Sequence, residues 1–342
     1  MLGDWETLES GLFFIIGTGR CGTTLLQSML SEHSRILVPL EVGFFTNLEP
    51  AIHFSDPLSD KELNEYLRYC TQYWWWPALS INSEVFCEVV RGGMRSAREI
   101  FLWLLWQLSA GSGKVTIGEK TIGNWRKVGR ILELFPKAKF IHIYRDPRDV
   151  VVSLKRQDWW TAKSAMPTAM YCRKVLGELK ESEQHLGKKQ LLRVQYELLV
   201  KQPEQELRRI CVFLGEEFES RMLRFYERRE RGYVDAEAEW KDLTLKPLTL
   251  ERVGIYREQL KPREIWTVER MLGELLVEYG YEPDREVDQR LDWLIVNVAE
   301  QIKWGLKCFL IGGSWKFIDE KPVVKRLSGR SDQRYNPDLA KD

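Results

Sequence analysis

Paired cysteines and clustered histidines are both missing from this sequence. The six cysteines of the 342-residue chain are scattered, with no Cys-x-x-Cys pair among them. Such cysteines are typical of reduced, mostly buried thiols rather than of a disulfide framework or a zinc site. The four histidines show no metal-ligand spacing with carboxylates either. We therefore expect a reducing compartment and no bound metal ion.

Long apolar runs and a large net charge are also absent. No stretch reaches the roughly eighteen apolar residues of a membrane-spanning helix. Residues 1–11 show no basic region followed by an apolar one, so we expect no secretory signal. Together these absences predict a cytoplasmic protein. The formal net charge is only +1, which gives no overall field that would favour a nucleic acid as partner.

The sequence does contain ample material for a core. Apolar residues make up 44% and charged residues 30% of the chain, which is ordinary for a globular protein of one large or two smaller domains. Tryptophan is frequent, with fourteen residues, and clusters at Trp74–Trp76 and Trp159–Trp160. Aromatic side chains of this kind line a binding site or fill a core, and for Trp74–Trp76 both interpretations stay open.

The stretch from Leu12 to Leu26, LFFIIGTGRCGTTLL, organises the chain. Its first five residues are apolar and run directly into Gly17, which predicts a strand buried on both faces. Three glycines, the last being Gly22, then supply a loop that can turn sharply, and a helical pattern follows. A strand, a glycine loop and a helix start direct backbone N–H groups and the helix dipole at one point. We predict an anion-binding site here.

Further apolar runs alternate with helical patterns along the chain. Residues 35–38, 140–144 and 191–194 are expected to be strands, and a helix is expected from Asp149, whose side chain can stabilise the first turn. This alternation predicts a three-layer α/β/α fold with a central parallel sheet.

We expect two parts of unequal size. Residues 1–285 would form the main domain, with a largely helical insertion at 46–115, and residues 286–342 a C-terminal helical extension and polar tail. The extension carries an apolar stripe at helical spacing, formed by Leu291, Leu294, Ile295, Val298, Ile302, Leu306 and Phe309. Two interpretations remain open for this stripe: a helix packed on the domain or on a second copy of the chain, and a helix lying in a membrane interface.

The glycine loop departs from the nucleotide-binding pattern G-x-x-x-x-G-K-[ST] at one position. The spacing from Gly17 to Gly22 fits and Thr24 is present. Thr23, however, stands where a kinase or NTPase has the lysine that contacts the transferred phosphate. The loop is therefore equipped to hold a phosphate and poorly equipped to transfer one.

A second anion pocket is indicated at the end of the strand predicted at 140–144. Arg145 follows this strand, and Ser153 lies two turns into the next helix. A guanidinium and a hydroxyl so placed can bind a second phosphate. Standing alone, the segment would equally fit a helix-capping aspartate with solvated arginines.

Together these segments resemble those of sulfotransferases that use 3′-phosphoadenosine 5′-phosphosulfate (PAPS). Residues 17–24 resemble the 5′-phosphosulfate loop of that family, and residues 140–156 resemble its 3′-phosphate motif. Three more segments match the family pattern in the expected order: Glu119-Lys120-Thr121, with Ile122 where proline is usual, Tyr196–Val200, and residues 246–257 with 276–281. The resemblance covers residues 12–282. It implies a P-loop-like sulfotransferase fold and direct, metal-free sulfuryl transfer.

The resemblance also implies roles for individual residues. Arg20 and Lys120 would stabilise the charge that develops on the bridging oxygen of the donor. Arg145 and Ser153 would bind its 3′-phosphate, and Tyr196 would lie against adenine. The residues expected to bind the donor are Gly19, Arg20, Cys21, Gly22, Thr23, Thr24, Arg145, Ser153, Tyr196 and Arg252. Cys21 stands where serine is usual in this loop.

The base that activates the acceptor hydroxyl is expected to be Glu41. Its segment, Glu-Val-Gly-Phe-Phe, resembles the Glu-Val-His-Phe-Phe segment of heparan sulfate sulfotransferases, with Gly43 in place of histidine. Its position after a strand also resembles that of the catalytic glutamate of tyrosylprotein sulfotransferases. A base that loses water in a closed site can acquire a pKa suited to proton transfer. Among the histidines, His53 is the rival for this role.

The predicted function is PAPS-dependent sulfuryl transfer to a hydroxyl of a carbohydrate, a tyrosine or other phenol, or a small metabolite. Residues 46–115 and the Trp159–Trp160 segment would form the acceptor wall. Two other classes stay open. One is a P-loop kinase or NTPase, which the missing lysine disfavours, and the other is a non-catalytic nucleotide-binding scaffold.

Overall fold

The computed structural model describes residues 5–48, 57–72, 76–227 and 242–284. Four of the features discussed above lie outside these ranges: His53, Trp74, Trp75 and the C-terminal extension 286–342. Among the described residues, no helix is long and apolar enough to cross a membrane.

The centre of the fold is a parallel sheet. Its strands within the described ranges are β1 (Phe13–Ile16), β2 (Ile36–Leu37), β3 (Thr116–Glu119), β4 (Lys139–Tyr144) and β5 (Leu191–Gln195). They lie in the order β2-β3-β1-β4-β5, and each neighbouring pair is parallel. The chain therefore crosses back over the sheet between successive strands. The sequence pattern does not predict β3, which lies between β2 and β1.

Helices surround this sheet. The described α-helices are α1 (Trp5–Ser10), α2 (Thr23–Ser31), α3 (Asp60–Gln72), α4 (Ser83–Arg91), α5 (Ala97–Ser109), α6 (Val128–Leu134), α7 (Pro147–Lys155), α8 (Ala165–Glu183), α9 (Tyr196–Lys201), α10 (Pro203–Leu214), α11 (Tyr256–Gln259), α12 (Pro262–Leu272) and α13 (Glu274–Glu278). Shorter segments are the π-helical Phe44–Leu48 and the 3₁₀-helical Trp76–Leu79, Asn124–Lys127, Ser220–Glu227 and Asp242–Leu245.

The central strand β1 shows why the fold has three layers. All four of its side chains are buried, and they alternate between two hydrophobic cores. Phe13 and Ile15 pack in the core that contains α2 and α10, whereas Phe14 and Ile16 pack in the core that contains α5, α6 and α8. An apolar run without alternation is what a strand covered on both faces requires. The three-layer α/β/α prediction is confirmed.

The helix after β4 begins earlier than predicted. It starts at Pro147 rather than at Asp149, and its N-cap is Asp146, whose side chain accepts a hydrogen bond of 2.9 Å from the Arg148 N–H. Proline suits the first helical position because its φ is already helical and it has no N–H to leave unpaired. Asp149 therefore lies in the first turn of the helix, and its carboxylate does not cap the helix.

An ion-pair network centred on the buried Glu183 joins β4 and β5 to α8. His142 Nδ1 lies 2.6 Å from Glu183 Oε1, and the guanidinium of Arg193 on β5 donates to the same carboxylate. Burial disfavours the charged carboxylate, but the hydrogen bonds from His142 and Arg193 outweigh burial and lower the pKa of Glu183 to about 2. The contact of His142 with Glu183 thus connects β4 to α8.

Glu183→Gln is expected to lower the free energy of unfolding at pH 7 by about 3 kcal/mol, the equivalent of the depressed pKa. A carboxylate with a depressed pKa stabilises the fold above its unfolded pKa of 4.5, and this contribution is lost as the pH falls toward 2. Denaturant titrations of both proteins should show a difference that shrinks to about half at pH 3. A difference that stays constant with pH would contradict the assignment.

Candidate active site

The carboxyl ends of the described strands meet at one edge of the sheet. The loop after β1 contains Arg20, and the loop after β2 contains Glu41. Lys120 directly follows β3, Arg145 directly follows β4, and Tyr196 directly follows β5. Ligands of open parallel sheets bind at this edge. The residues predicted to carry the chemistry therefore lie on neighbouring loops of one surface.

The loop between β1 and α2 has a backbone that few side chains tolerate. Arg20 and Gly22 have positive φ angles of 72° and 106°. A Cβ at Gly17 would collide with the carbonyl oxygen of Ile143 and lie 2.7 Å from Cys21 Sγ. Gly22 is also the N-cap of α2, so the loop ends where the helix presents N–H groups without intrahelical partners. This is the geometry of an anion-binding loop.

Cys21 directs its side chain away from this surface. The thiol is fully buried, and burial raises its pKa to about 12, although hydrogen bonding with Thr18 and Thr23 acts in the opposite direction. A neutral buried thiol has no access to a ligand. Any contact of Cys21 with a bound anion would therefore come from its backbone.

Gly22→Ala is expected to lower the free energy of unfolding by about 1–3 kcal/mol, the cost of a non-glycine residue in a strained conformation. The added Cβ would lie at positive φ and only 2.6 Å from Cδ2 of Tyr196. Gly19→Ala is the matched control, because an added Cβ there has no atom within 4 Å. We expect it to change stability by no more than about 0.5 kcal/mol. Equal losses in urea titrations of the two variants would contradict this explanation.

The two predicted anion pockets are in direct contact. Arg20 Nε donates a hydrogen bond of 3.1 Å to Ser153 Oγ, and Arg145 Nη1 lies 3.5 Å from the Arg20 carbonyl oxygen. The Arg145 guanidinium also lies over the ring of Tyr196, 4.6 Å from its centroid. Arg145 is 8% exposed, and its buried Nε has no hydrogen-bond partner among the described residues. A buried donor without a partner is unfavourable unless a ligand satisfies it.

Asp149 joins the second pocket to the C-terminal part of the chain. Its fully buried carboxylate accepts hydrogen bonds from the N–H groups of Gly254, at 2.9 Å, and Tyr256, at 3.0 Å. On the other side it lies 3.5 Å from Arg145 Nη2, which also donates to the carbonyl oxygen of Arg252. Burial raises the pKa of Asp149, while Arg145 acts in the opposite direction. The sequence offers no signal for these contacts.

The predicted base and the second predicted cation form an ion pair. Lys120 Nζ lies 2.5 Å from Glu41 Oε1. The lysine side chain is 1% exposed and that of Glu41 20% exposed. A buried ammonium requires a charged partner, and Glu41 supplies it from the more accessible side. The two residues therefore occupy one location at the sheet edge.

Glu119 fixes the two backbone segments that carry this pair. It is 1% exposed and accepts hydrogen bonds from the Val42 N–H at 3.3 Å, from the Thr121 N–H and hydroxyl, and from the Asn124 amide. The Thr121 hydroxyl in turn accepts a 3.0 Å bond from the Gly43 N–H. Burial raises the pKa of Glu119, and the hydrogen bonds from Thr121 and Asn124 oppose that rise. The loop of Glu41 is thus tied to the segment of Lys120.

Gly43 lies in the loop of Glu41 in a backbone conformation that glycine adopts more easily than histidine. Its φ is 67°, in the left-handed region that glycine adopts without strain.

Of the aromatic residues proposed for an acceptor wall, Trp76 is buried against Phe86 at a ring-centroid distance of 4.6 Å, and Trp160 is buried against Tyr171 at 4.9 Å. Both therefore fill the core. Trp159 is half-buried beside Trp160.

Comparisons with known proteins agree with this architecture. The sequence profile described as "Sulfotransferase family" matches residues 13–220. The nodulation protein NoeE of Sinorhizobium fredii is 26% identical over 79% of this chain and 65% of its own length. The protein-tyrosine sulfotransferase of Drosophila melanogaster is 26% identical over 80% of this chain and 52% of its own length. An uncharacterized protein of Aquifex aeolicus is 26% identical over 72% of this chain and 30% of its own length.

Solved structures share the fold. The sulfotransferase domain from the curacin biosynthetic pathway superposes with a TM-score of 0.57 at 19% identity, covering 80% of this chain and 98% of that domain. The sulfotransferase domain from the Synechococcus PCC 7002 olefin synthase gives a TM-score of 0.52 at 22% identity, covering 77% and 94%. The common feature at this level of identity is the arrangement of sheet and helices.

Proposed function

This chain belongs to the sulfotransferase family, and from that premise we propose that it transfers a sulfuryl group from PAPS to a hydroxyl group of an acceptor. The supporting observation is the arrangement of two anion pockets, joined by the Arg20–Ser153 hydrogen bond, on the same sheet edge as the Lys120–Glu41 pair. A donor with a phosphate at each end of its ribose needs two such pockets. A kinase or NTPase would need a lysine where Thr23 stands.

The residues present fit this donor. A Cβ at Gly19 would meet open space, so the loop leaves room for a group against its backbone. The N–H groups of residues 20–24 would hold the 5′-phosphate at the start of α2. Arg145, whose buried Nε lacks a partner among the described residues, and Ser153 would hold the 3′-phosphate, with Arg252 beside them. Tyr196 would lie against the adenine.

In the proposed reaction, the acceptor oxygen forms a bond to sulfur while the bond from sulfur to the bridging phosphate oxygen breaks. The electron pair of the broken bond stays on the bridging oxygen, where Arg20 and Lys120 supply positive charge. Glu41 accepts the proton of the acceptor hydroxyl. Because Glu41 and Lys120 are in contact, they can act on the same reaction centre.

The acceptor is proposed only by class, as a hydroxyl of a carbohydrate, a phenol such as tyrosine, or a small metabolite. One similar protein is described as a protein-tyrosine sulfotransferase and another as a nodulation protein, so relatives of different kinds are equally similar. The chain spans less than two thirds of the length of each of these two proteins. A cytoplasmic location, and assembly or membrane contact through residues 286–342, likewise stay proposals.

The test is sulfate transfer from radiolabelled PAPS to a panel of sugars, phenols and tyrosine peptides, with a matched reaction that lacks protein. We expect one class of acceptor to become labelled at a rate above that control. Tight binding of 3′-phosphoadenosine 5′-phosphate without transfer to any acceptor would favour a nucleotide-binding scaffold instead. Magnesium-dependent ATP hydrolysis would favour a kinase or NTPase.

A further inference from the structure

The loop of residues 252–256 has no backbone hydrogen bond to the sheet among those described, and it is held at the second anion pocket by side chains. Arg145 donates to the Arg252 carbonyl oxygen, and Asp149 accepts from the N–H groups of Gly254 and Tyr256. Asp149 is fully buried, and the two backbone bonds measure 2.9 and 3.0 Å. The carboxylate of Asp149 therefore contacts both the loop of residues 252–256 and the guanidinium of Arg145.

The charge of Asp149 is unfavourable for the ligand expected there. A carboxylate within 3.5 Å of Arg145 weakens the attraction between that guanidinium and a phosphate. An anion pocket built only for electrostatic attraction would have no aspartate at this position. Its presence calls for a positional explanation, and the two backbone hydrogen bonds supply one, since charge-assisted bonds of this kind are among the strongest in proteins.

We propose that Asp149 is a positioning residue for the 3′-phosphate pocket: it holds residues 252–256 against Arg145 and so sets the pocket that distinguishes a nucleotide with a 3′-phosphate from one without it. This inference rests on the proposed function, which assigns the 3′-phosphate to Arg145 and Ser153. Positioning and electrostatics predict opposite signs for the removal of the charge. Coulomb attraction alone predicts tighter phosphate binding, whereas loss of the loop predicts weaker binding.

The test is the affinity of Asp149→Asn for two probes, 3′-phosphoadenosine 5′-phosphate and adenosine 5′-phosphate, measured by isothermal titration calorimetry. The asparagine oxygen can accept one backbone N–H, while its NH₂ group faces the other donor, so one of the two bonds becomes repulsive. We expect the Kd for the 3′-phosphorylated probe to rise about tenfold or more. The Kd for adenosine 5′-phosphate should stay within about twofold, which also shows that the variant is folded.

Tyr281→Phe is the matched control. It removes a 2.9 Å hydrogen bond between the same C-terminal part of the chain and Glu197, a bond that involves neither Asp149 nor residues 252–256, and should leave the ratio of the two affinities unchanged. Should Asp149→Asn fail to fold, Gly254→Ala tests the same contact. The φ of Gly254 is 73° and a Cβ there meets no atom within 4 Å, so only the backbone near Asp149 is disturbed.

The outcomes separate the inference from its premise. Tighter or unchanged binding of the 3′-phosphorylated probe by Asp149→Asn, or an equal loss for both probes, would overturn the positioning role. A native protein that binds both probes equally well would instead overturn the assignment of the 3′-phosphate pocket. A loss confined to the 3′-phosphorylated probe, absent from Tyr281→Phe, would support the proposal.

Discussion

Lys120→Met is expected to lower kcat for sulfuryl transfer by about 10²–10³-fold, the typical loss when a preorganised charge-stabilising group is removed. Lys120 is 1% exposed at the end of β3, so in the proposed role its ammonium would act on the bridging oxygen of the donor with little competition from water. Methionine fills nearly the same volume without the charge. The measurement is steady-state turnover at saturating PAPS with the acceptor found active in the panel.

Lys127→Met is the control for this substitution. Lys127 follows the same strand but lies in the 3₁₀ segment Asn124–Lys127, and it makes no described contact with Glu41. Its replacement should leave kcat within about twofold. Binding of 3′-phosphoadenosine 5′-phosphate should be nearly unchanged in Lys120→Met, because Arg145, Ser153 and the glycine loop remain. A fully active Lys120→Met would exclude the lysine from charge stabilisation.

The parts of the fold that follow most directly from the sequence are the strands rich in apolar residues. β1 is buried on both faces and all four of its side chains are apolar, while in β4 the apolar Phe140, Ile141 and Ile143 surround the single buried histidine, His142. The same holds for the glycine loop, because positive φ at Gly22 and the close approach at Gly17 restrict the residue type locally. The resemblance then orders these segments along one sheet edge.

β3 cannot be predicted from the sequence because its residue types suit contacts with residues that are distant along the chain. In Thr116-Ile-Gly-Glu119, Gly118 leaves room for the ring of Phe13, with which a Cβ would collide. Glu119 is buried only because donors from residues 42, 121 and 124 surround its carboxylate. A glycine and a glutamate within four residues do not predict a strand, although Glu119-Lys120-Thr121 resembles a sulfotransferase segment.

Asp149 illustrates the same limit at the candidate site. An aspartate near the start of a predicted helix is ordinarily expected to cap that helix. Asp146 takes that role, while the two backbone N–H groups that donate to Asp149, those of Gly254 and Tyr256, lie more than a hundred residues further along the chain. Sequence spacing describes neighbours on one element, whereas a contact between distant loops depends on how the elements are packed.

Glu41→Gln is expected to lower kcat by about 10²–10⁴-fold, the usual contribution of a general base. Glutamine is preferred to alanine for a physical reason. Lys120 Nζ is buried against Glu41 Oε1 at 2.5 Å, and the amide oxygen of glutamine still accepts a hydrogen bond from it. Alanine would leave a buried ammonium without its partner, so lost activity could then reflect lost stability. The measurement is kcat together with the Kd for 3′-phosphoadenosine 5′-phosphate, which should change little.

The double variant Glu41→Gln/Lys120→Met tests whether the two residues act on one transition state. When two residues act together on one step, removing either one already costs most of the rate that both provide. Removing the second then lowers kcat little further. We therefore expect the kcat of the double variant to be only slightly lower than that of the less active single variant. Independent roles would instead multiply the two losses. Normal turnover in Glu41→Gln would remove the base assignment, and His53 would then be the next residue to replace.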